Sequence, residues 1–207
     1  MKNYIKTILI LGLFILPVST NTVVSIPDVY TSHNTTVAIN VTNANNLGAA
    51  YIRLHYNSEV VQVTDVTMGD LSIPELFCYN INNMIGVVNI TGVKAEGVNG
   101  DVVFANVVLE AVGELNDISP LNLEVITLKD TSGISIPYIT ENGTFNIILE
   151  GDTNLDGCVN IIDAMFIAQY VVGLRDFSQS QLISADVNKD NTVNIIDAMK
   201  IAQSVVV

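Results

Sequence analysis

Two acidic loops of twelve residues stand 34 positions apart in this chain, the first from Asp152 to Asp163 and the second from Asp186 to Asp197. Oxygen-bearing side chains fall at loop positions 1, 3, 5, 9 and 12 in both copies. In the first they are Asp152, Asn154, Asp156, Asn160 and Asp163; in the second, Asp186, Asn188, Asp190, Asn194 and Asp197. This spacing wraps a hard cation such as Ca2+, which takes about six to eight oxygen ligands. The peptide carbonyls of Cys158 and Thr192, at position 7 of their loops, would add a further oxygen to each set. One Asp/Asn-rich turn is commonplace, but two in one frame, each followed by an apolar segment, point to a pair of calcium ions. Gly157 supplies a left-handed turn at position 6, and the second copy has Asn191 there, the non-glycine residue that tolerates it best.

Elements must hold these loops, and the sequence after each loop also repeats. Asn160-Ile161-Ile162-Asp163-Ala164-Met165 is identical to Asn194-Ile195-Ile196-Asp197-Ala198-Met199, and Ile167-Ala168-Gln169 recurs as Ile201-Ala202-Gln203. Each segment predicts a helix of about three turns, with the closing aspartate in its first turn facing the positive end of the helix dipole. Residues 161–174 are apolar almost all round, so cover is needed on more than one face. A module of fewer than 60 residues cannot bury all of these side chains, and an exposed apolar patch is expected.

The stretch 150–207 resembles a dockerin, the calcium-folded module that plugs proteins into cohesins. The Asp-x-Asn-x-Asp loop with its closing Asn and Asp, its near-identical duplication, and a loop-helix unit without an entering helix carry the resemblance. It implies that Ile161, Ile162, Ala168 and Gln169, and again Ile195, Ile196, Ala202 and Gln203, meet a cohesin-bearing protein. Ser/Thr and Lys/Arg are frequent at these places in the family, so this partner face is expected to be more apolar. Because the two faces match, the resemblance also implies docking in either of two orientations related by a half-turn.

Residues 22–149 read differently. Val37, Ile39 and Val41 alternate with polar neighbours, as do Ala50, Ile52, Leu54 and Tyr56, and further runs cover 60–66, 77–82, 86–91, 102–111, 121–128 and 144–149. Turn residues separate them, which predicts a mainly β fold, a jelly-roll sandwich of eight to nine short strands, ahead of the small α calcium module. The run from Ala49 to Val63, Gly69 beyond it and Gly143-Thr144-Phe145-Asn146-Ile147 resemble a cohesin, itself the partner type of dockerins. Asn57 and Val61 depart from the family's usual Asp and Leu. The resemblance implies that a dockerin-bearing protein meets the outward residues Ala49, Tyr51 and Arg53.

The front of the chain predicts export. Lys2 and Lys6 precede an apolar run over 8–16, followed by Pro17 and small residues, the layout of a signal peptide over 1–21. A secreted or cell-surface location follows as an expectation. The net charge of -13 disfavours nucleic acid and anionic lipid as partners. Two histidines, His33 and His55, stand apart from any motif, no nucleophile elbow, zinc signature or phosphate loop occurs, and the two modules leave no length for an enzyme domain. The expected role is a non-catalytic adaptor within a polysaccharide-degrading, cellulosome-like complex or a cell-surface assembly. Cohesin-like and dockerin-like parts in one chain allow either a two-ended adaptor or head-to-tail self-association. The alternative is a carbohydrate-binding module tethered by its dockerin to polysaccharide machinery; the absence of Trp and only thirteen Phe and Tyr weigh against an aromatic platform for sugar.

Overall fold

The structure is a computed structural model that describes residues 21–206. The expected signal segment, Asn21 apart, lies outside the described residues. Among these residues nine strands precede three α-helices. The strands are β1 (Thr22–Ser25), β2 (Val29–Tyr30), β3 (Thr35–His55), β4 (Val61–Met68), β5 (Cys78–Asn82), β6 (Val87–Ala111), β7 (Ile118–Asp130), β8 (Tyr138–Glu141) and β9 (Gly143–Asn146).

The first two runs of alternating residues fuse into the single strand β3, of 21 residues. Its first half buries Val37, Ile39 and Val41, and its second half buries Ala50, Ile52 and Leu54, so the inward parity changes from odd to even. A period-two strand can switch parity only by inserting residues out of register. Register shifts between Val41 and Ala49 do this, with Asn43 and Asn46 left-handed at φ 54° and 51°. Strand β6 bends alongside, and the two strands pass from one layer of the sandwich to the other. One layer runs β8-β1-β3-β6-β4 through the first half of β3 and the second half of β6. The other runs β2-β9-β7-β3-β6-β5 through the opposite halves.

The space between the layers is filled by Phe104, Phe145, Ile39, Ile52, Leu54, Ile90, Leu109 and Leu121, all without solvent contact. Gly69 is required by close approach: its N–H donates to the Phe104 carbonyl at 3.2 Å, and a Cβ there would collide with the Val103 carbonyl.

The helices are α1 (Ile161–Val171), α2 (Gln179–Ala185) and α3 (Ile195–Ser204). Helices α1 and α3 follow the two loops, as their shared sequence predicts, and pack on each other around Ala164, Ile167, Ala185, Ala198 and Ile201. Helix α2 is not anticipated by apolar periodicity. It starts where the Ser178 hydroxyl accepts from the Gln181 N–H and the Gln181 side chain accepts from the Ser178 N–H, a reciprocal cap. Because α2 ends at Ala185, immediately before Asp186, the second loop has an entering helix that the loop-helix pattern lacks.

Candidate functional site

Each acidic loop is tied by its own side chains to its own backbone, and the ties repeat at the 34-residue offset. Asp152 Oδ2 accepts from Gly157 N (2.8 Å) and Asp186 Oδ2 from Asn191 N (2.8 Å). Asn154 Oδ1 accepts from Asp156 N (2.9 Å) and Asn188 Oδ1 from Asp190 N (2.9 Å). Asp156 Oδ1 receives the Cys158 N–H, and Asp190 Oδ1 that of Thr192. The closing carboxylates Asp163 and Asp197 reach back to the N–H of Asn160 and Asn194 at 2.8 and 2.9 Å, while those asparagines cap the helices. This is a capping box in duplicate, fixing the last loop ligand on the first helical turn.

Loop position 6 is left-handed in both copies, Gly157 at φ 86° and Asn191 at φ 63°. Position 4 is left-handed too, at Leu155 and Lys189, both at φ 60°. Side chains with a Cβ resist that conformation by about 1–2 kcal/mol. Its appearance at matching places shows the same backbone path enforced twice by the Asp and Asn bonds above.

The residues fit a calcium ion on electrostatic grounds. Asp152 is nearly buried and Asp163 and Asp197 are fully buried, yet among the described residues none pairs with a cationic side chain. Buried carboxylates need a counter-charge. Burial pushes the Asp152 carboxyl up, the charges of Asp163 and Asp156 add to the rise, and N–H bonds from Gly157 and Asp156 offset part of it. A divalent cation would relieve this repulsion, and an all-oxygen donor set of carboxylate, amide and peptide carbonyl suits a hard one. Among the described residues no three His, Cys, Asp or Glu side chains are gathered round one point as a metal cluster. Within the loops the amides bind carboxylates directly: Asn154 Nδ2 donates to Asp156 Oδ2 (2.7 Å) and Asn188 Nδ2 to Asp190 Oδ2 (3.0 Å).

The helix stripes beside the loops are exposed. Ile161 is 57 % and Ile195 50 % accessible, with Ile162, Met165, Ile196 and Met199 similarly open. At 100° per residue, Ile161, Ile162, Met165, Phe166 and Gln169 share one face of α1, and Ile195, Ile196, Met199, Lys200 and Gln203 the same face of α3. Ala168 and Ala202 lie beside this face and are half-buried, Ala202 against the module core. Met165, Phe166, Met199 and Lys200 were thus not singled out from the sequence, although helical spacing from Ile161 and Ile195 reaches them. Arg175 lies over the Phe166 ring, 3.7 Å from its centroid, and its Nε donates to Gln169 Oε1 at 3.1 Å.

On the sandwich, Ala49, Tyr51 and Arg53 point outward from the second half of β3. Cross-strand register sets them in rows: Lys129-Ala49-Val93, Thr127-Tyr51-Thr91-Cys78, Glu124-Arg53-Asn89-Asn80 and Asn122-His55-Val87-Asn82. Asn89 Oδ1 accepts from the Tyr51 hydroxyl (2.9 Å) and Arg53 Nε (2.8 Å). Glu124 Oε2 meets Arg53 NH1 at 2.9 Å and His55 Nε2 at 3.0 Å. The His55 hydrogen bond leads the causes that hold the Glu124 carboxyl below its ordinary range, with the Arg53 charge assisting against some desolvation. His55, which stands in no sequence motif, belongs to this network. The exposed tyrosines Tyr79 and Tyr138 stand on β5 and β8, in different layers. Cys78 and Cys158 are both exposed free thiols, on the sandwich face and in the first loop.

Short contacts join the two modules. Asn116 Nδ2 donates to the Leu155 carbonyl (3.3 Å), and on the plug side of the junction Lys189 pairs with the linker residue Glu150 at 3.3 Å across exposed surface. Ser184, fully buried, donates its hydroxyl to the carbonyls of Leu149 and Asp152, both at 2.8 Å, and its own carbonyl accepts the Gly151 N–H. The module therefore meets the end of the sandwich and leaves the β7-β3-β6-β5 outer face open.

Comparison with known proteins agrees with this geometry. The Cohesin domain family matches residues 21–147 and the Dockerin type I domain family residues 150–205. The chain belongs to the cohesin family, and a dockerin type I domain follows its cohesin domain; both are non-catalytic protein–protein interaction domains that pair with each other, and dockerins of this type bind calcium. Among solved structures, a non-cellulosomal cohesin from the hyperthermophilic archaeon Archaeoglobus fulgidus is 25 % identical, with 63 % of this chain and 93 % of that one covered at a TM-score of 0.57. A chain of a type I cohesin–dockerin complex from Clostridium thermocellum is 19 % identical, covering 62 % and 100 % at 0.57. A third, from the complex of a cohesin with a dockerin from Acetivibrio cellulolyticus, is 17 % identical, covering 62 % and 99 % at 0.56. No curated protein matches the chain.

Proposed function

We propose that this protein is an exported, non-catalytic connector that links two other proteins. The outer face around Ala49, Tyr51 and Arg53 receives a dockerin from one, and the Ile-Ile-Met stripes of α1 and α3 dock on the cohesin of another. Calcium in the two loops, one ion in each, orders the second interaction by fixing the first turn of each helix beside its stripe. The single supporting observation is that both halves of a mating pair occur in one chain with only Glu150 and Gly151 between the last sandwich residue and the first loop ligand. Two residues reach at most about 7 Å, too short for the plug to swing onto the outer face of its own sandwich. The leader pattern at the front supports export, and the family resemblance supports a place in a polysaccharide-degrading or surface assembly.

The test is capture of secreted proteins on the full chain, with calcium, with EDTA, and with the variant Ile161→Asp/Ile195→Asp. Calcium-dependent capture of a cohesin-bearing protein, lost in that variant, is the expected result. Identical capture in all three conditions would overturn the docking role, and retention of insoluble polysaccharide in its place would favour a sugar-binding sandwich.

A further inference from the structure

The two docking faces carry the same sign of charge. On the sandwich, the rows across β7, β3, β6 and β5 hold two cations, Arg53 and Lys129, and one carboxylate, Glu124, which Arg53 and His55 already engage. On the plug, the stripe of α3 contains Lys200 and no carboxylate. The stripe of α1 has Phe166 at the equivalent place, 34 residues earlier, but Arg175 folds back over that ring and places a guanidinium there. A cation thus stands on each otherwise uncharged stripe, supplied in one copy by the helix and in the other by the loop after it. Neither Arg175 nor Lys200 forms an ion pair among the described residues.

We propose that Arg175 and Lys200 are specificity-determining residues that direct the plug to an apolar sandwich face bearing an unengaged carboxylate on a different protein, and away from the sandwich of a second copy of this chain. This rests on the connector reading above and names the chemistry of one partner. Like charges brought together in a desolvating interface oppose association, and an unpaired carboxylate opposite each cation favours it. Two-fold equivalence of the stripes gives the partner's carboxylate the same cation in either docking orientation. By the same logic the dockerin that fits this sandwich carries acidic residues on its helices, unlike the plug of this chain. The two ends are therefore non-cognate, and the chain bridges unlike proteins without polymerising.

Sedimentation equilibrium of the full chain in millimolar calcium tests this. Wild type stays monomeric up to roughly 100 μM, an affinity weaker than about 1 mM. Arg175→Glu/Lys200→Glu turns repulsion into attraction and raises the average mass through calcium-dependent head-to-tail association, at least about tenfold tighter and reversed by salt. Arg53→Glu/Lys129→Glu acts in the same direction from the other side, and combining all four changes restores the monomer. Calcium-raised melting of each variant verifies its fold. Wild-type oligomers that require calcium and vanish in Ile161→Asp/Ile195→Asp overturn the proposal, as do folded charge variants whose mass equals that of wild type. The latter outcome leaves the connector reading standing, because that reading fails only if calcium-dependent capture of a foreign protein fails.

Discussion

The sandwich and the calcium module solve the same problem, holding a docking face rigid, with opposite means. The sandwich encloses a continuous apolar core that includes Phe104, Phe145, Leu47, Leu54 and Ile90, all fully buried. Among its described residues the module has five buried apolar side chains, Ala164, Ile167, Ala185, Ala198 and Ile201, three of them alanine. Its other fully buried groups include Thr153, Asp163, Ser184 and Asp197, whose hydrogen bonds order the loops without supplying much apolar burial. A small domain short of core relies on a staple, and the calcium ions proposed for the two loops would supply it. On that reading, the difference teaches that one end of the chain is held by its own core while the other is conditional on its surroundings.

Removing calcium breaks that contrast most sharply. In EDTA the helical circular dichroism of α1 and α3 is expected to collapse while the β signal of the sandwich persists, so that thermal melting shows one transition with chelator and a second, calcium-raised one without it. A single transition unmoved by calcium would place both halves on the same footing. Phe104→Ala probes the opposite side. Truncating this fully buried ring should cost the sandwich about 3–5 kcal/mol and leave the calcium-dependent transition in place. Asp163→Ala and Asp197→Ala sharpen the comparison within the module. Each removes both the last ligand and half of a capping box, and calorimetry should find calcium binding in that loop weakened at least about tenfold, about 1.4 kcal/mol. Smallest in effect are the single stripe changes. If the stripes are equivalent, Ile161→Asp or Ile195→Asp alone halves the docking affinity, about 0.4 kcal/mol, whereas both together abolish it. Loss with one change and silence with the other would show a single docking orientation.

Legibility differed between the regions for a physical reason. A calcium loop is local: its ligands are spaced along twelve residues, and the side-chain bonds of Asp152, Asn154, Asp156 and Asp163 in the structure all run within the loop or to its helix cap. Position-by-position reading finds such a pattern, and duplication makes it specific. Helix α2 was hidden because Gln179-Ser180-Gln181-Leu182 has no apolar periodicity; the Ser178–Gln181 cap signal was present but short. Position 4 of the loops gave no sign either, since neither Leu155 nor Lys189 favours a left-handed backbone.

Alternation by itself determined that residues 22–149 form strands with one wet side, and repetition by itself determined where the paired acidic loops and the exposed stripes fall. Which runs fuse into β3 and β6 was decided by tertiary structure alone. The parity change at Asn43 and Asn46 gains nothing locally and is favourable only because it lets one strand bury side chains in both layers. Tertiary structure likewise decided that Arg175 lies on Phe166 and that His55 and Arg53 converge on Glu124. Those partners stand 9, 69 and 71 positions apart in sequence, and only the fold brings their charges within reach.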